Sequence, residues 1–411
     1  MTITQPGARP ETPAGTGTRS RLPSLTGLRA VAGLSVFITH GLALGLFTDP
    51  AVMVEYVRYG ANAGMFGLSF FFVLTGFVVT WTASSKDSAR QFWRRRFFKL
   101  FPNHVVVYAI IIALWIPTGV PIKAVEALAG LLLVSAWFPS ESFLFNNLNG
   151  PMWSANIDVL AYAAFPLLYV LVKKIRPNRL WAWAVGVTAL SALVPVVANA
   201  FLPDQPPSLV APEVSWSQHW FGFYFPLTRA LEFVVGIIMA RIVLTGRWIG
   251  LGALPASLLT IGFYLATLDV PVFYGYTFVP LIPMALLIPA FAVADVRGHR
   301  TLANGRLMVW LGDRMYAFFV IHVTVMFMVH AAYSGENGVV GMYTRKTFDL
   351  GTGILVLIST YLVCLVLASI LYALVEQPVM RRWSRPRRTA GCSRTWRFMM
   401  SGSSRLPSIC C

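Results

Sequence analysis

Long apolar runs recur along the whole chain and constrain its fold more than any other feature of the sequence. A helix needs about 20 mostly apolar residues to cross a bilayer. Ten candidate runs are present, at residues 28–47, 64–83, 101–117, 156–172, 180–200, 227–240, 249–268, 277–294, 308–330 and 351–375. Because backbone polar groups must be hydrogen-bonded inside the lipid, each run is predicted to be a helix. The sequence therefore predicts an all-α fold, a polytopic integral membrane helical bundle with about ten transmembrane helices.

The composition excludes several other classes of protein. Of the 411 residues, 56% are hydrophobic and only 12% are charged, whereas a soluble domain carries about 25% charged residues. This balance rules out a disordered chain, a coiled coil and a disulfide scaffold, and it argues against a water-soluble globular enzyme. The net charge is +17, and a strongly basic chain can indicate a nucleic-acid-binding protein. The positions of the basic residues decide whether that interpretation applies here.

The basic residues are concentrated on one side of the predicted bundle. With ten spans and a cytoplasmic N-terminus, 26 of the 33 Lys and Arg residues fall in loops and tails on the cytoplasmic side. The opposite side holds four basic residues and nine of the 16 acidic residues. Cytoplasmic loops are enriched in Lys and Arg, so we expect a multi-pass protein of the plasma membrane with both termini in the cytoplasm. The excess charge then reflects topology, and no nucleic-acid partner is expected.

The same charge pattern separates one further apolar run from the ten spans. Residues 122–138 form a short run that carries Lys123 and Glu126 near its start. Counting it as a span would move the basic residues 173–179 to the acidic side, so we predict an interfacial or re-entrant segment on the outer side. The polar tails 1–20 and 384–411 are predicted to be disordered, which leaves one transmembrane domain at 21–383.

Ionisable residues inside the apolar runs are the first candidates for chemistry, because a charge there costs about 2.5–3.5 kcal/mol on insertion scales. They are Arg29, His40, Asp158, Arg229, Glu232, Arg314, His322, His330 and Glu376. Arg29 and His40 lie 11 residues apart, which places them on nearly the same helical face. We expect Arg29 at the cytoplasmic interface, where snorkelling also explains it. His40, near or beyond the midplane, suits either an interhelical hydrogen bond or proton transfer near neutral pH.

A dense basic cluster precedes the third run. Arg94, Arg95, Arg96 and Lys99 lie at its cytoplasmic mouth, just before Pro102. Topology and anionic lipid account for such a cluster, and so does a polyanionic cytosolic ligand such as a phosphorylated cofactor. Both interpretations stay open from these residues alone.

Polar side chains also mark the start of the fourth run. Trp153 and Ser154 open it, and Asp158 and Tyr162 follow at four-residue spacing along one face. Asp158 is predicted near the outer end of this helix. It is either a helix-terminal, water-facing acid or a carboxylate that orients a histidine, and His40 is predicted in the same half of the membrane.

Arg229 and Glu232 are three residues apart on one helix, so we favour a structural ion pair between them. Tyr316 and His322 share the run 308–330, and Thr75 lies in the aromatic second run. The histidines and cysteines show no metal-ligand spacing, and no metal site is predicted.

Taken in order, these motifs resemble those of membrane-bound acyltransferase family 3, over about residues 21–382. The matching residues are Arg29 and His40 (Arg-x10-His), the 71–77 segment with Thr75, the 96–102 segment with Arg96, Lys99 and Pro102, the block of Trp153, Ser154, Asp158 and Tyr162, the block of Arg229, Glu232, Phe233 and Gly236, the pair Tyr316 and His322, and Glu376 with Pro378. Three of them depart from the family pattern, which has Ser at Thr75, Arg at Lys99 and Glu at Asp158. Within the family, the 236–240 and 246–250 segments resemble the macrolide O-acyltransferase subgroup of antibiotic producers.

The resemblance implies an O-acyltransferase that moves a short acyl group from acyl-CoA to a hydroxyl of a macrolide-type natural product. Acyl-CoA is then a co-substrate, and no permanently bound cofactor is expected. The implied catalytic residues are His40 as general base, with Asp158 and Arg29. The implied substrate-binding residues are Trp153, Ser154, Tyr162, Thr75, Arg229, Glu232, Tyr316 and His322, and the implied CoA-binding residues are Arg95, Arg96 and Lys99 together with Arg29.

Two alternatives to this function stay open. The first is O-acylation of an extracytoplasmic glycan or lipid, which suits a His40 and an Asp158 in the outer half of the membrane. The second is a proton-coupled exporter of an amphipathic metabolite, since buried ionisable groups also serve proton relays. The sequence shows neither the inverted repeat nor the paired broken helices that many transporters have, so we favour the enzyme.

Overall fold

A computed structural model describes residues 21–84, 87–335 and 346–383 of the chain. The predicted tails 1–20 and 384–411 lie outside the described residues. The α-helices are α1 (Pro23–Gly41), α2 (Pro50–Trp81), α3 (Ala89–Trp115), α4 (Ala124–Leu131), α5 (Glu141–Phe145), α6 (Trp153–Lys174), α7 (Leu180–Phe201), α8 (Trp216–His219), α9 (Pro226–Leu244), α10 (Ala253–Ala266), α11 (Val272–Thr277), α12 (Leu281–Val296), α13 (Arg306–Ser334), α14 (Leu350–Leu371) and α15 (Gln377–Trp383). Within the described residues, the β-type pairings are two isolated bridges. The all-α prediction is confirmed.

Eight helical segments in the described part of the chain are long and apolar enough to cross a membrane. They contain α1, α2, α3, α6, α7, α12, α13 and α14. The other two predicted spans correspond to α9, which carries Arg229, Glu232 and Arg241, and to α10, which has 14 residues. The polytopic bundle is therefore confirmed, and the number of ten stays a prediction.

The run 122–138 does not form a spanning helix. Its one α-helix, α4, has eight residues and is about 12 Å long at the usual rise of 1.5 Å per residue. The C-terminal part of α3 holds this segment in place, because the Tyr108 hydroxyl donates to the carbonyls of Ala127 and Asn147. The segment thus packs across one end of the bundle, as an interfacial or re-entrant segment would.

The two ends of the bundle differ in charge. We call the end that holds the start of α1, the start of α3 and the end of α14 the basic end, because Arg94–Lys99 lie there. The opposite end, which we call the distal end, holds the end of α1, the short helices α4, α5 and α8, and the end of α13. Because α1 and α13 both run from the basic end to the distal end, His40 and His322 lie towards the distal side of Arg29.

Close helix crossings build the centre of the bundle. A Cβ atom on Gly27 of α1 would lie 1.8 Å from the Ala303 carbonyl oxygen, and one on Gly312 of α13 would lie 1.8 Å from the Thr26 carbonyl oxygen. Small residues allow such backbone approach in membrane helices. The crossing brings α1 onto α13 and so determines which side chains of the two helices meet.

The outer helices carry large apolar side chains on their exposed faces. Val185 of α7 is 64% exposed, Leu254 of α10 is 71% exposed and Ile358 of α14 is 53% exposed. A surface of this kind suits hydrocarbon and not water. The bundle therefore places its polar side chains inside and its apolar side chains towards the lipid.

Candidate active site

Among the residues that the structure describes, one cavity enters the bundle towards the distal end and another towards the basic end. The distal cavity has a volume of about 610 Å³ and is lined by His40, Trp153 and Tyr276 among others. The basic cavity has a volume of about 470 Å³ and is lined by Arg29 and Asp158 among others. Three residues line both cavities, namely Leu68, Ser154 and Phe319. These side chains separate the two cavities, which therefore approach each other inside the bundle.

A pair of histidines lies beside the distal cavity. The Nδ1 atom of His40 lies 2.9 Å from the Val36 carbonyl oxygen and 3.2 Å from the Nε2 atom of His322. The Nδ1 atom of His322 lies 2.7 Å from the Phe319 carbonyl oxygen. His40 lines the cavity, whereas His322 is 1% exposed and lies behind it.

These contacts determine where the protons lie when both imidazoles are neutral. A carbonyl oxygen only accepts hydrogen bonds, so the Nδ1 atom of His322 must carry a hydrogen and its Nε2 atom a lone pair. That lone pair accepts a hydrogen bond from the Nδ1–H group of His40. The Val36 carbonyl oxygen is also only an acceptor, so it too requires a hydrogen on the Nδ1 atom of His40. The Nε2 atom of His40 is then left with a lone pair, so His40 is prepared to accept a proton.

Asp158 lies in the wall of the basic cavity and not beside the two histidines. It lines the basic cavity with Arg96 and Tyr162, and its electrostatic partner is Arg96. Among the described residues, the hydrogen-bond partners of His40 are Val36 and His322. The structure therefore places a second histidine, and not the carboxylate that the sequence suggested, next to His40.

The basic cavity is lined by four cationic side chains, those of Arg29, Arg96, Lys99 and Arg381, and by three carboxylates, those of Asp158, Asp313 and Glu376. The Cζ atom of Arg96 lies 5.3 Å from the centre of the Phe92 ring and 5.5 Å from the centre of the Tyr162 ring, and its Nε atom has no hydrogen-bond partner among the described residues. Such a cluster of cations, with unused donors, can bind an anion.

A carboxylate holds one of these cations in place. Lys99 forms an ion pair with Glu376, and the Nδ2 atom of Asn103 donates to the Oε2 atom of the same carboxylate at 2.7 Å. Glu376 is 2% exposed. The pair also lies beside Tyr316, whose ring centre is 5.8 Å from the Lys99 ammonium group.

Arg95 does not line either cavity. Its guanidinium binds the Asp87 carboxylate through two hydrogen bonds of 3.0 and 2.7 Å. The predicted set of CoA-binding residues is thus divided, since Arg96 and Lys99 line the basic cavity and the neighbouring Arg95 is part of a surface ion pair.

Arg229 and Glu232 form the structural ion pair that their spacing favours. Their atoms Nη1 and Oε1 lie 2.8 Å apart, and both side chains are almost fully buried. Arg229 also donates to the Tyr276 carbonyl oxygen at 3.1 Å and lies over the rings of Phe72 and Phe223. Neither member of the pair lines a cavity, so the pair supports the wall of the distal cavity from behind.

The other predicted binding residues are divided between the two cavities. Trp153 lines the distal cavity, Ser154 lines both, and Thr75, Tyr162 and Tyr316 line the basic cavity. Among the described residues, no group of three or more His, Cys, Asp or Glu side chains could hold a metal ion. The shared residues Leu68, Ser154 and Phe319 form a partition between the two cavities. His40, which can act as a base, lies on its distal side, and the cationic cluster, which can bind an anion, lies on its basic side.

Comparison with known proteins decides the family. Residues 22–373 match the acyltransferase domain of the acyltransferase 3 family. The chain belongs to that family. Along 90% of its length it is 38% identical to acyltransferase MdmB from Streptomyces mycarofaciens, of which it covers 94%. No solved structure gave a significant match.

The chain is also similar, at lower identity, to two longer proteins. The chain is 26% identical to the peptidoglycan O-acetyltransferase OatA of Listeria monocytogenes over 54% of its own length and 34% of OatA. It is 24% identical to the putative peptidoglycan O-acetyltransferase YrhL of Bacillus subtilis over 87% of its own length and 55% of YrhL. The chain thus covers only part of both relatives.

The structure of this acyltransferase 3 member also shows site residues that the sequence did not suggest. Asn103 and the carbonyl oxygens of Val36 and Phe319 hold Glu376 and the two histidines. His219, which lies between the predicted spans 180–200 and 227–240, also lines the distal cavity. The signal that could have found it is the density of aromatic residues around it in 216–225.

Proposed function

We propose that this membrane acyltransferase moves a short acyl group from acyl-CoA to a hydroxyl of a macrolide-type lactone, with His40 as general base. The observation that carries the proposal is the hydrogen-bond chain from Phe319 through His322 to His40, which leaves a lone pair on the Nε2 atom of a cavity-lining imidazole. The similarity to acyltransferase MdmB along almost the full length of both chains supports acyl transfer as the reaction.

The proposed reaction is a direct transfer. His40 removes the proton of the acceptor hydroxyl as its oxygen attacks the thioester carbonyl carbon. The tetrahedral intermediate collapses, the C–S bond breaks, and the CoA thiolate takes the proton back from His40. An ester and free CoA are the products, and base catalysis of this kind contributes about 10² to 10⁴ in rate.

The donor binds in the basic cavity in this proposal. Arg29, Arg96 and Lys99 hold the phosphates of CoA, because Arg and Lys are the side chains that pair with phosphate. The pantetheine arm then directs the thioester past Leu68, Ser154 and Phe319 towards His40, and the acceptor occupies the distal cavity. A cavity of about 610 Å³ is within the range of about 300–1,000 Å³ that takes drug-sized ligands.

The proposed orientation follows from the charge of the loops. The basic end faces the cytoplasm, where acyl-CoA is made, and the protein is a multi-pass component of the plasma membrane. Reporter fusions to the loops at 173–179 and 202–215 test this orientation. A cytoplasmic signal from 202–215 would contradict it.

Purified protein in nanodiscs tests the activity. We expect acetyl-CoA or propionyl-CoA plus a hydroxylated macrolactone to give a product heavier by one acyl group, together with free CoA. The variant His40→Ala should lose this product, and full activity in that variant would overturn the role of His40.

The similarity to OatA and YrhL supports a second acceptor class, an extracytoplasmic glycan. Transfer to muramyl oligosaccharides, with none to macrolactones, would favour it. A third outcome, accumulation of macrolactone in proteoliposomes without any acyl donor, would favour an exporter.

A further inference from the structure

Aromatic rings form one side of the distal cavity. We call Trp153, Phe223, Tyr224 and Tyr276 the aromatic wall, since all four line the cavity and lie near one another. The ring centre of Trp153 is 4.9 Å from that of Phe223 and 4.7 Å from that of Tyr224. Much of the wall comes from the segment between α7 and α9, where α8 continues into a π-helical turn at Trp220–Tyr224. Such turns are frequent at functional sites.

His219 is the polar group within this wall. Its ring centre lies 5.5 Å from that of Phe223, 5.0 Å from that of Tyr224 and 5.7 Å from that of Tyr276. Its Nδ1 atom lies 2.8 Å from the Oγ atom of Ser208. Its Nε2 atom has no hydrogen-bond partner among the described residues, although the side chain is 2% exposed.

A buried nitrogen without a partner is unusual and costly. A polar group left unsatisfied in this way costs about 1–3 kcal/mol, and native structures contain few such groups. Since His219 lines the cavity and Ser208 does not, the bonded nitrogen is held on the protein side. The other nitrogen is left for whatever occupies the cavity.

The bond to Ser208 also decides what the free nitrogen can do. Burial lowers the pKa of His219, which lies outside the spanning helices, to about 3, so the imidazole is neutral and carries one N–H group. The Ser208 hydroxyl is 2% exposed, and the one acceptor recorded for it in the described part of the chain is the Nδ1 atom of His219. The hydroxyl therefore donates to Nδ1, and the hydrogen of the imidazole lies on Nε2.

We propose that the Nε2–H group of His219 anchors the acceptor by donating a hydrogen bond to one of its carbonyl or ether oxygens, while the aromatic wall packs against its apolar face. Among the side chains that line this cavity, the formally charged one is Lys123, which is exposed and bonded to Ser142. The site therefore takes a neutral, amphipathic ring such as a macrolactone, and discriminates against charged glycans. This inference rests on the proposed function, because it assigns the acceptor to the distal cavity.

Binding without turnover separates this inference from the proposed function. The probe is a tritiated neutral macrolactone, and its Kd is measured by equilibrium dialysis against protein in nanodiscs without acyl-CoA. We expect His219→Phe, which keeps a ring but has no N–H group, to raise the Kd about tenfold, the value of one good hydrogen bond. His219→Gln, whose amide restores a donor, should recover most of the affinity.

The matched control is His104→Phe, because His104 is equally buried and lines neither cavity. It should leave the Kd within about twofold of the wild-type value. Steady-state kinetics with acetyl-CoA should show the same pattern, with a raised acceptor KM and unchanged donor KM in His219→Phe.

Two results would overturn the inference. One is an unchanged Kd in His219→Phe, and the other is tighter binding of a tritiated muramyl disaccharide than of the macrolactone. If the wild-type protein binds macrolactone through His219 but transfers no acyl group to it, the proposed function fails while the anchoring role stands.

Discussion

Gly76 of α2 and Gly236 of α9 pack reciprocally, each against the backbone of the other helix. A Cβ atom on Gly76 would lie 2.0 Å from the Phe233 carbonyl oxygen, and one on Gly236 would lie 2.1 Å from the Val73 carbonyl oxygen. Both glycines belong to motifs that resemble those of the family, so the crossing gives a structural reason for these two motif positions. The crossing also aligns α9, from which the Arg229–Glu232 pair supports the distal cavity.

We predict that Gly76→Ala and Gly236→Ala each destabilise the protein. A Cβ atom at either site meets main chain, which cannot rotate away, and overpacking of this kind costs about 1–3 kcal/mol or more. Thermal unfolding in detergent, followed by size-exclusion chromatography, should show a lower midpoint for both variants. Gly186→Ala and Gly262→Ala are the controls, because a Cβ atom there has nothing within 4 Å. Equal midpoints in all four variants would contradict the packing argument.

The second prediction concerns the histidine pair. His322→Phe removes one of the two acceptors of the Nδ1–H group of His40 and leaves the Val36 carbonyl oxygen, so we expect kcat to fall about tenfold to a hundredfold with little change in either KM. His322→Gln keeps an amide oxygen as acceptor and should retain more activity than His322→Phe. A kcat in His322→Phe equal to that of the wild type would show that His40 does not depend on His322.

The third prediction separates two adjacent arginines. Arg96 lines the basic cavity and Arg95 is bonded to Asp87. We expect Arg96→Ala to raise the KM for acetyl-CoA at least tenfold, because a charge-assisted hydrogen bond contributes about 1.5–3 kcal/mol. Arg95→Ala should leave this KM within about twofold of the wild-type value. A raised KM for acetyl-CoA in Arg95→Ala, with an unchanged KM in Arg96→Ala, would place the CoA phosphates outside the basic cavity.

The fourth prediction tests the partner of Asp158. Because Asp158 interacts electrostatically with Arg96, a double-mutant cycle of Asp158→Asn and Arg96→Ala should be non-additive in the KM for acetyl-CoA. A parallel cycle of Asp158→Asn with His40→Ala, measured on donor binding, should be additive, as expected for residues without shared partners. Coupling in the second cycle alone would restore the idea that Asp158 orients a histidine.

Periodicity and charge predict the scaffold of this protein because lipid imposes them on each helix separately. Charge separates the short α4 from the spanning helices. If the run 122–138 were counted as a span, the basic residues 173–179 would lie on the acidic side of the membrane. The spacing of Arg29 and His40 likewise depends on a single helix. Properties of this kind need no knowledge of which helices are neighbours.

The partners of the site residues depend on how helices cross, which a single sequence does not contain. His40 and His322 are 282 residues apart and meet only because α1 and α13 pack closely. Arg95 and Arg96 are adjacent in the sequence, but successive residues point about 100° apart on a helix, so one lines a cavity and the other does not. His219 lies outside the ten predicted spans, and its surroundings come from three separate parts of the chain, at Ser208, 216–224 and Tyr276.

The partition formed by Leu68, Ser154 and Phe319 has a consequence for the cell as well as for the reaction. A membrane protein that is hollow from both ends would conduct ions if water could pass between its cavities. Two of the three side chains are apolar, and the hydroxyl of Ser154 donates to the Pro151 carbonyl, so the partition offers few groups to a chain of water molecules. These three side chains are therefore part of the barrier that keeps the two cavities, and the two sides of the membrane, apart.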